Sequence, residues 1–199
     1  MNIIEKATVQ AFHRDRLGDS ALHALGYRAE ESQAQRFQAL LHWGDFSGAS
    51  ILDLGCGYGD LKAFLDQHAQ DFIYLGIDFL KEFIEGAQER YGHLPNTQFF
   101  QSDFLTAGLP EVDILIASGS LNYRSRNSLH PWQTIGRMWE VAQKGVVFNL
   151  LDAAKFEGDA VLCGYHQNEV LTFCSQLDAD TQIFSGYLPD DFTVVMRKR

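Results

Sequence analysis

The run ILDLGCGYGD, residues 51–60, constrains this chain more than any other stretch. A short apolar segment holding one acid, Asp53, leads into three glycines within five residues, Gly55, Gly57 and Gly59. Glycine lets a backbone turn sharply and lets a ligand approach with no Cβ in the way. The next residues, DLKAFLDQH, carry Leu61, Phe64 and Leu65 at helical spacing, with Asp60 placed to cap the helix start. The stretch therefore reads as strand, glycine turn, helix. In an open α/β sheet that turn lies at the carboxyl edge, where ligands bind.

The rest of the chain repeats the alternation. Residues 31–43 read as a helix with Ala34, Phe37, Leu40 and Leu41 on one face. Segments 72–78, 97–103, 112–118 and 145–151 are apolar and strand-like, separated by stretches with helical periodicity. Near-continuous apolar strands such as VDILIAS suit a sheet covered on both faces. Two further strands close the chain, joined by a turn containing Pro189 and Asp190-Asp191. So short a link forces that last pair to be antiparallel. The expected fold is α/β, a Rossmann-like three-layer sandwich on a mostly parallel sheet.

At 199 residues, 46% of them hydrophobic, one domain with a real core is expected. The net charge of −10 gives no overall basic footprint for nucleic acid or an anionic membrane surface. The first residues carry no apolar stretch of secretory type, and no run approaches the ~20 apolar residues of a membrane helix. Cys56, Cys163 and Cys174 form no CxxC pair, so reduced thiols in a cytoplasmic protein are expected rather than a disulfide framework. His13, His23, His42, His130 and His166 are scattered, and no metal is expected.

Two more acids close later strands, Asp78 after YLGI and Asp103 after FFQS. Asp78 follows the glycine loop by about 20 residues, the spacing at which an acid meets ribose hydroxyls in dinucleotide folds. A pyrophosphate fits poorly, because the third glycine falls one place early and Asp60 stands at the helix start. Acids around the loop suit a cationic nucleoside ligand better.

The series ILDLGCGYGD, GID and QSDF resembles the motifs of class I S-adenosylmethionine-dependent methyltransferases. LGYRAEESQAQRF, SGSLNYR and YLPDDFT resemble a narrower group, small stand-alone bacterial members without an assigned substrate. The resemblance implies a seven-stranded sheet with an antiparallel C-terminal hairpin. It implies a core over residues 48–199 and an N-terminal helical cap over 1–47. It implies S-adenosylmethionine as donor and S-adenosylhomocysteine as product. Gly55 and Gly57 would lie against the donor's amino acid portion, with Cys56 and Gly59 in the same loop and Asp53 near the ammonium. Asp78 would take the ribose hydroxyls, and Phe79 would pack on the adenine. Asp103 would accept from the adenine amino group, with the Phe104 N–H beside the ring. Ser118 would offer its carbonyl to the methionyl amine.

Methyl transfer from a sulfonium needs alignment and exclusion of water, and a base only where the acceptor carries a proton. Acceptor-side candidates are therefore less distinct. The long polar loop 118–131 supplies Asn122 and Tyr123, and the N-terminal segment supplies Tyr27. Asn122-Tyr123 is not the Asn/Asp-Pro-Pro-Tyr arrangement of nucleic-acid amino methyltransferases. Arg14, Arg16 and Arg28 would pair with an anionic group on the acceptor or with Asp19, Glu30 and Glu31. A small-molecule acceptor is expected, with neither nucleic acid nor membrane as partner. An aminopropyl transferase and a non-catalytic nucleoside-binding module are the alternatives.

Overall fold

The computed structural model describes residues 1–27, 30–177 and 179–199. Arg28, one of the three arginines considered for the acceptor, lies outside the described residues. The first strand β1 (Ser50–Leu54) is followed by α4 (Asp60–Leu65), β2 (Ile73–Asp78), α5 (Lys81–Tyr91), β3 (Thr97–Gln101) and β4 (Val112–Ala117). Then come α6 (His130–Val141), β5 (Ala142–Leu151), α7 (Gln167–Ser175), β6 (Ala179–Ser185) and β7 (Asp191–Lys198). Three helices precede the sheet: α1 (Ile3–Arg14), α2 (Ala21–Ala24) and α3 (Glu30–Leu40).

The seven strands lie in the order β3-β2-β1-β4-β5-β7-β6. The pairings among β1 to β5 are parallel, and β7 runs antiparallel between β5 and β6. Successive residues of a strand face opposite sides of a sheet, and the apolar strands here fill both sides. Ile51, Ile114 and Ile116 pack with Phe37, Leu40 and Leu65 on one face, which α3, α4 and α5 cover. Leu52, Leu115 and Ala117 pack with Ile135, Met138 and Val170 on the other, under α6 and α7. After β1 the chain builds outward to β2 and β3, then returns to place β4 on the opposite side of β1. That reversal opens a crevice at the carboxyl ends of β1 and β4.

Two sequence expectations shift at element ends. Gly59 occupies the position before α4, and Asp60 is the first helical residue. The Asp60 carboxylate instead accepts from Gln33 at 3.3 Å and Arg90 at 3.2 Å, so its partners are side chains and not the helix N–H groups. The helix expected over 31–43 ends at Leu40 and tightens into a 3-10 turn over Leu41–Trp43. Among the described residues no helix is long and apolar enough to cross a membrane.

The N-terminal helices reach the crevice. Asn2 and Glu5 form a reciprocal capping box that starts α1. The Glu5 carboxylate also accepts from the Arg126 N–H at 2.7 Å and the Ser125 hydroxyl at 3.1 Å, tying α1 to the loop after β4. From α3, Arg36 donates to Asp191 at 2.6 Å, an ion pair across to β7 with the carboxylate side chain wholly buried.

Candidate functional site

A cavity of about 640 Å³ lies at the switch point, within the range of small-molecule sites. Its walls come from the ends of β1, β2 and β4, from the segment after β3, and from α1 and the turn after α2. Of the ten residues expected around the donor, Asp53, Gly55, Cys56, Gly57, Asp78, Phe79, Asp103, Phe104 and Ser118 all face this one space. Gly59 stands outside its walls, and a Cβ there would meet the Phe99 ring at 2.9 Å. Its place is the packed turn into α4.

The glycine loop is shaped by contacts that forbid side chains. Gly55 has φ +77°, and a Cβ on it would fall 2.4 Å from the Ser120 Cβ. Gly57 has φ +53°, and a Cβ there would fall 2.4 Å from Leu25 Cδ2. Leu25 belongs to the turn after α2, so the N-terminal segment closes directly on the loop.

The acids of β1 and β2 are buried side by side. Asp53 is 2% exposed and accepts a hydrogen bond from the Tyr74 hydroxyl at 2.5 Å. Burial pushes its carboxyl up to about 7, against the lowering effect of Tyr74, and neighbouring Asp78 adds to the rise. Asp78 accepts from the Leu80 N–H at 2.9 Å and the Gly57 N–H at 3.1 Å. Burial pushes it up to about 6 despite those donors. Each oxygen of Asp78 thus carries one backbone donor and keeps acceptor capacity for a ligand hydroxyl. Cys56 is buried beside the two acids, and burial pushes its thiol well above the ordinary range.

Asp103 is half-buried and ion-paired to Lys6 of α1, while its other oxygen accepts from the Leu105 N–H at 3.0 Å. Burial alone would raise its carboxyl, but these partners outweigh it and the net direction is down. The Ser118 hydroxyl donates to Asn149 Oδ1 at 2.7 Å. Asn149 in turn donates to Thr193 at 2.6 Å, and the Tyr187 hydroxyl links Thr193 to Asp191. This buried chain joins Ser118 to the Arg36 ion pair.

Tyr27, Asn122 and Tyr123 also wall the cavity. Tyr27 lies against Ser118 and Arg36, and burial raises its hydroxyl pKa. The Asn122 side-chain oxygen accepts from the Leu151 N–H at 2.9 Å, so it fastens the loop to β5 rather than offering itself to a ligand. The Tyr123 hydroxyl meets His13 Nε2 at 2.6 Å. Arg14 pairs with Glu82 at 2.8 Å, and Arg16 donates to the Phe12 carbonyl and covers the Phe12 ring. Their described partners are thus Glu82 and Phe12, and neither arginine walls the cavity. Lys6, His13 and Arg36 do, although the sequence had not singled them out for it. Among the described residues no group of three or more His, Cys, Asp or Glu is placed to hold a metal ion.

Comparison with known proteins meets this geometry. Residues 51–145 match the family model described as a methyltransferase domain. Rv1506c of Mycobacterium tuberculosis, whose name gives it as a methyltransferase and states no substrate, is 29% identical over 161 residues. The match covers 75% of this chain and 93% of that protein. Magnesium protoporphyrin IX methyltransferase from Synechocystis, solved with bound S-adenosylmethionine, superposes with a TM-score of 0.74 at 14% identity. The superposition spans 98% of this chain and 97% of that one. The small RNA methyltransferase HEN1 gives 0.67 at 15% identity, over 84% of this chain and 25% of its own. Those two structures show a shared fold.

The domain match and the fold agree: residues 51–145 match a methyltransferase domain, and the fold is the one shared with a methyltransferase solved with bound S-adenosylmethionine. The fold hosts acceptors as different as a porphyrin and an RNA.

Proposed function

We propose that this enzyme moves the methyl group of S-adenosylmethionine to a small-molecule acceptor held in the same cavity as the donor. Residues 1–47 act as the cap of one methyltransferase domain spanning 1–199. The observation that carries this reading is the closure of the cavity by the protein's own N-terminal segment. Leu25 packs on Gly57, and α1 walls the cavity with Lys6, paired to Asp103, and His13, paired to Tyr123. A small acceptor fits beneath such a cover, whereas a polymer needs an open groove. The net charge of −10 supports the same choice, because nucleic acid backbones call for Lys and Arg.

In this reading Asp78 accepts from the ribose hydroxyls, Asp103 from the adenine amine, and Phe79 and Phe104 flank the base. Gly55, Gly57 and Ser118 lie along the methionyl group, with Asp53 near its ammonium. Tyr27 and Tyr123 wall the acceptor side. The protein supplies alignment and a dry site, and the donor supplies the leaving group. The match to a methyltransferase domain lends no support to the aminopropyl-transfer and docking-module alternatives.

The test has two arms. Calorimetric titration with S-adenosylmethionine and S-adenosylhomocysteine is expected to show one site, lost when Gly57 is replaced by a bulky residue. Gel-shift assays with DNA and RNA at ~0.15 M salt are expected to show no complex. A tight, salt-sensitive complex with either polymer overturns the small-molecule assignment. Absence of donor binding overturns the whole reading.

A further inference from the structure

The contact between His13 and Tyr123 joins residues 110 positions apart. His13 is 3% exposed and sits near the C-terminal end of α1. Its Nδ1 lies 2.7 Å from the Ala24 carbonyl oxygen, which can only accept. Nδ1 therefore carries the hydrogen, and in the neutral ring Nε2 presents a lone pair. The Tyr123 hydroxyl, 2.6 Å away, donates to it. Both residues wall the donor cavity. The structure thus holds an imidazole with a fixed tautomer, its basic nitrogen reached from the cavity through one hydroxyl.

We propose that Tyr123 and His13 form the proton-accepting arm of the transfer, and that the acceptor is an O–H or N–H nucleophile. The proposal rests on the methyl-transfer reading. The attacking atom forms its bond to the methyl carbon as the carbon–sulfur bond breaks, its electron pair passing to sulfur to leave a thioether. The nucleophile's proton passes to the Tyr123 oxygen while the Tyr123 proton passes to His13 Nε2. One positive charge is present before the step, on the sulfonium, and one after it, on the imidazolium. The cavity is never asked to hold a net charge that it did not already hold, so the displacement costs no new charge burial. The imidazolium then returns its proton to water.

The surroundings favour that discharge. Burial lowers the His13 pKa, the hydrogen bond to the Ala24 carbonyl pulls the other way, and Arg16 just beyond the end of α1 lowers it further, the net direction being down. From α5, His13 meets the uncharged Phe83 ring at 5.2 Å between centroids. Through Tyr123 the pair feels Asp78 at the end of β2, together with Tyr27 and Arg36. The resting imidazole is therefore neutral at pH 7 and ready to accept.

The test uses the full chain. His13→Gln keeps a hydrogen-bond acceptor for Tyr123 and removes the base, and Tyr123→Phe removes the relay. With labelled S-adenosylmethionine and a panel of phenols, hydroxy acids and primary amines, both variants are expected to lose about 10²–10⁴-fold in kcat. Their dissociation constant for S-adenosylhomocysteine should be unchanged. At saturating donor, where the acid-weakened binding of the donor drops out, the wild-type kcat is expected to fall at acid pH as the imidazole protonates, and His13→Gln to lose that limb. Full activity in His13→Gln, or a thioether or tertiary amine as the best acceptor, overturns the proposal. Histidine ¹⁵N spectra of the S-adenosylhomocysteine complex need no acceptor. A neutral Nδ1–H ring whose Nε2 resonance shifts in Tyr123→Phe supports the relay, and an Nε2–H tautomer or an imidazolium at pH 7 overturns it. Should S-adenosylhomocysteine not bind at all, the failure belongs to the methyl-transfer reading and not to the relay.

Discussion

Replacing Asp78 with asparagine tests the donor site at its most exposed assumption, that a buried carboxylate meets two hydroxyls. The variant keeps shape and loses charge. Its oxygen can still accept from the Leu80 N–H, now 2.9 Å from Oδ1. Its amide nitrogen then faces the Gly57 N–H, now 3.1 Å from Oδ2, and two donors confront each other. A ligand hydroxyl loses a charged acceptor, a loss of about 1.5–3 kcal/mol. That is about 10- to 150-fold in dissociation constant at pH 8. Acidity supplies a second, sharper signature. Burial raises the Asp78 carboxyl to about 6, so its ionised, binding-competent form predominates at pH 8 and is the minority at pH 5. The apparent dissociation constant scales inversely with the competent fraction, which weakens wild-type binding by about elevenfold at pH 5. Asparagine does not titrate. Asp53, raised to about 7 chiefly by burial, titrates in both proteins, and because the Asp78 charge adds only a smaller part of that rise, most of its effect cancels in their ratio. The advantage of wild type over Asp78→Asn should therefore shrink by about tenfold between pH 8 and pH 5. Calorimetry with S-adenosylhomocysteine at pH 5, 6.5 and 8 measures it, with circular dichroism to confirm folding. Equal affinities at pH 8, or a ratio that does not change with pH, would refute the ribose role.

Two further outcomes are expected. Arg36→Ala leaves the Asp191 side chain, wholly buried, without its cation. A loss of about 3–5 kcal/mol in urea unfolding is expected, partly recovered in Arg36→Met with Asp191→Asn, and a loss under ~1 kcal/mol would contradict it. Asp103→Ala should weaken S-adenosylhomocysteine binding by about 1–3 kcal/mol. Lys6→Met should change it less than about fivefold, because a partly exposed ion pair is worth ~0–1 kcal/mol, and titration giving the reverse ranking counts against the adenine role of Asp103.

What the sequence made legible is local. A strand that must end, turn and start a helix within ten residues announces its glycines, and strand-end acids announce themselves by breaking apolar runs. The antiparallel close of the sheet followed from the shortness of one link. Less legible was everything that depends on which side chains meet across the cavity. Lys6 reaches Asp103, Arg36 reaches Asp191, and His13 reaches Tyr123 through helices whose periodicity says nothing of where they dock. Gly59 looked like its two neighbours, yet its surroundings are the Phe99 and Tyr91 rings. Asn122 was legible as a pocket residue and does wall the cavity, but the hydrogen bond from the Leu151 N–H to its side-chain oxygen was not.

The way α1 is fastened bears on how long a bound molecule stays. The helix pairs with no strand, and it buries Val9 and His13 while Ile3 and Ile4 remain exposed. Its tethers are side-chain tips: Glu5 to the Arg126 N–H, Lys6 to Asp103, His13 to Tyr123 and Arg14 to Glu82. Water can replace each such bond nearly one for one. The helix can therefore breathe away from the mouth while the sheet beneath stays intact, a low-energy local opening of the kind amide exchange detects. Residence time is then set at the rim and not in the core. A ligand that spans donor and acceptor sites lengthens its own stay by giving α1 more to hold.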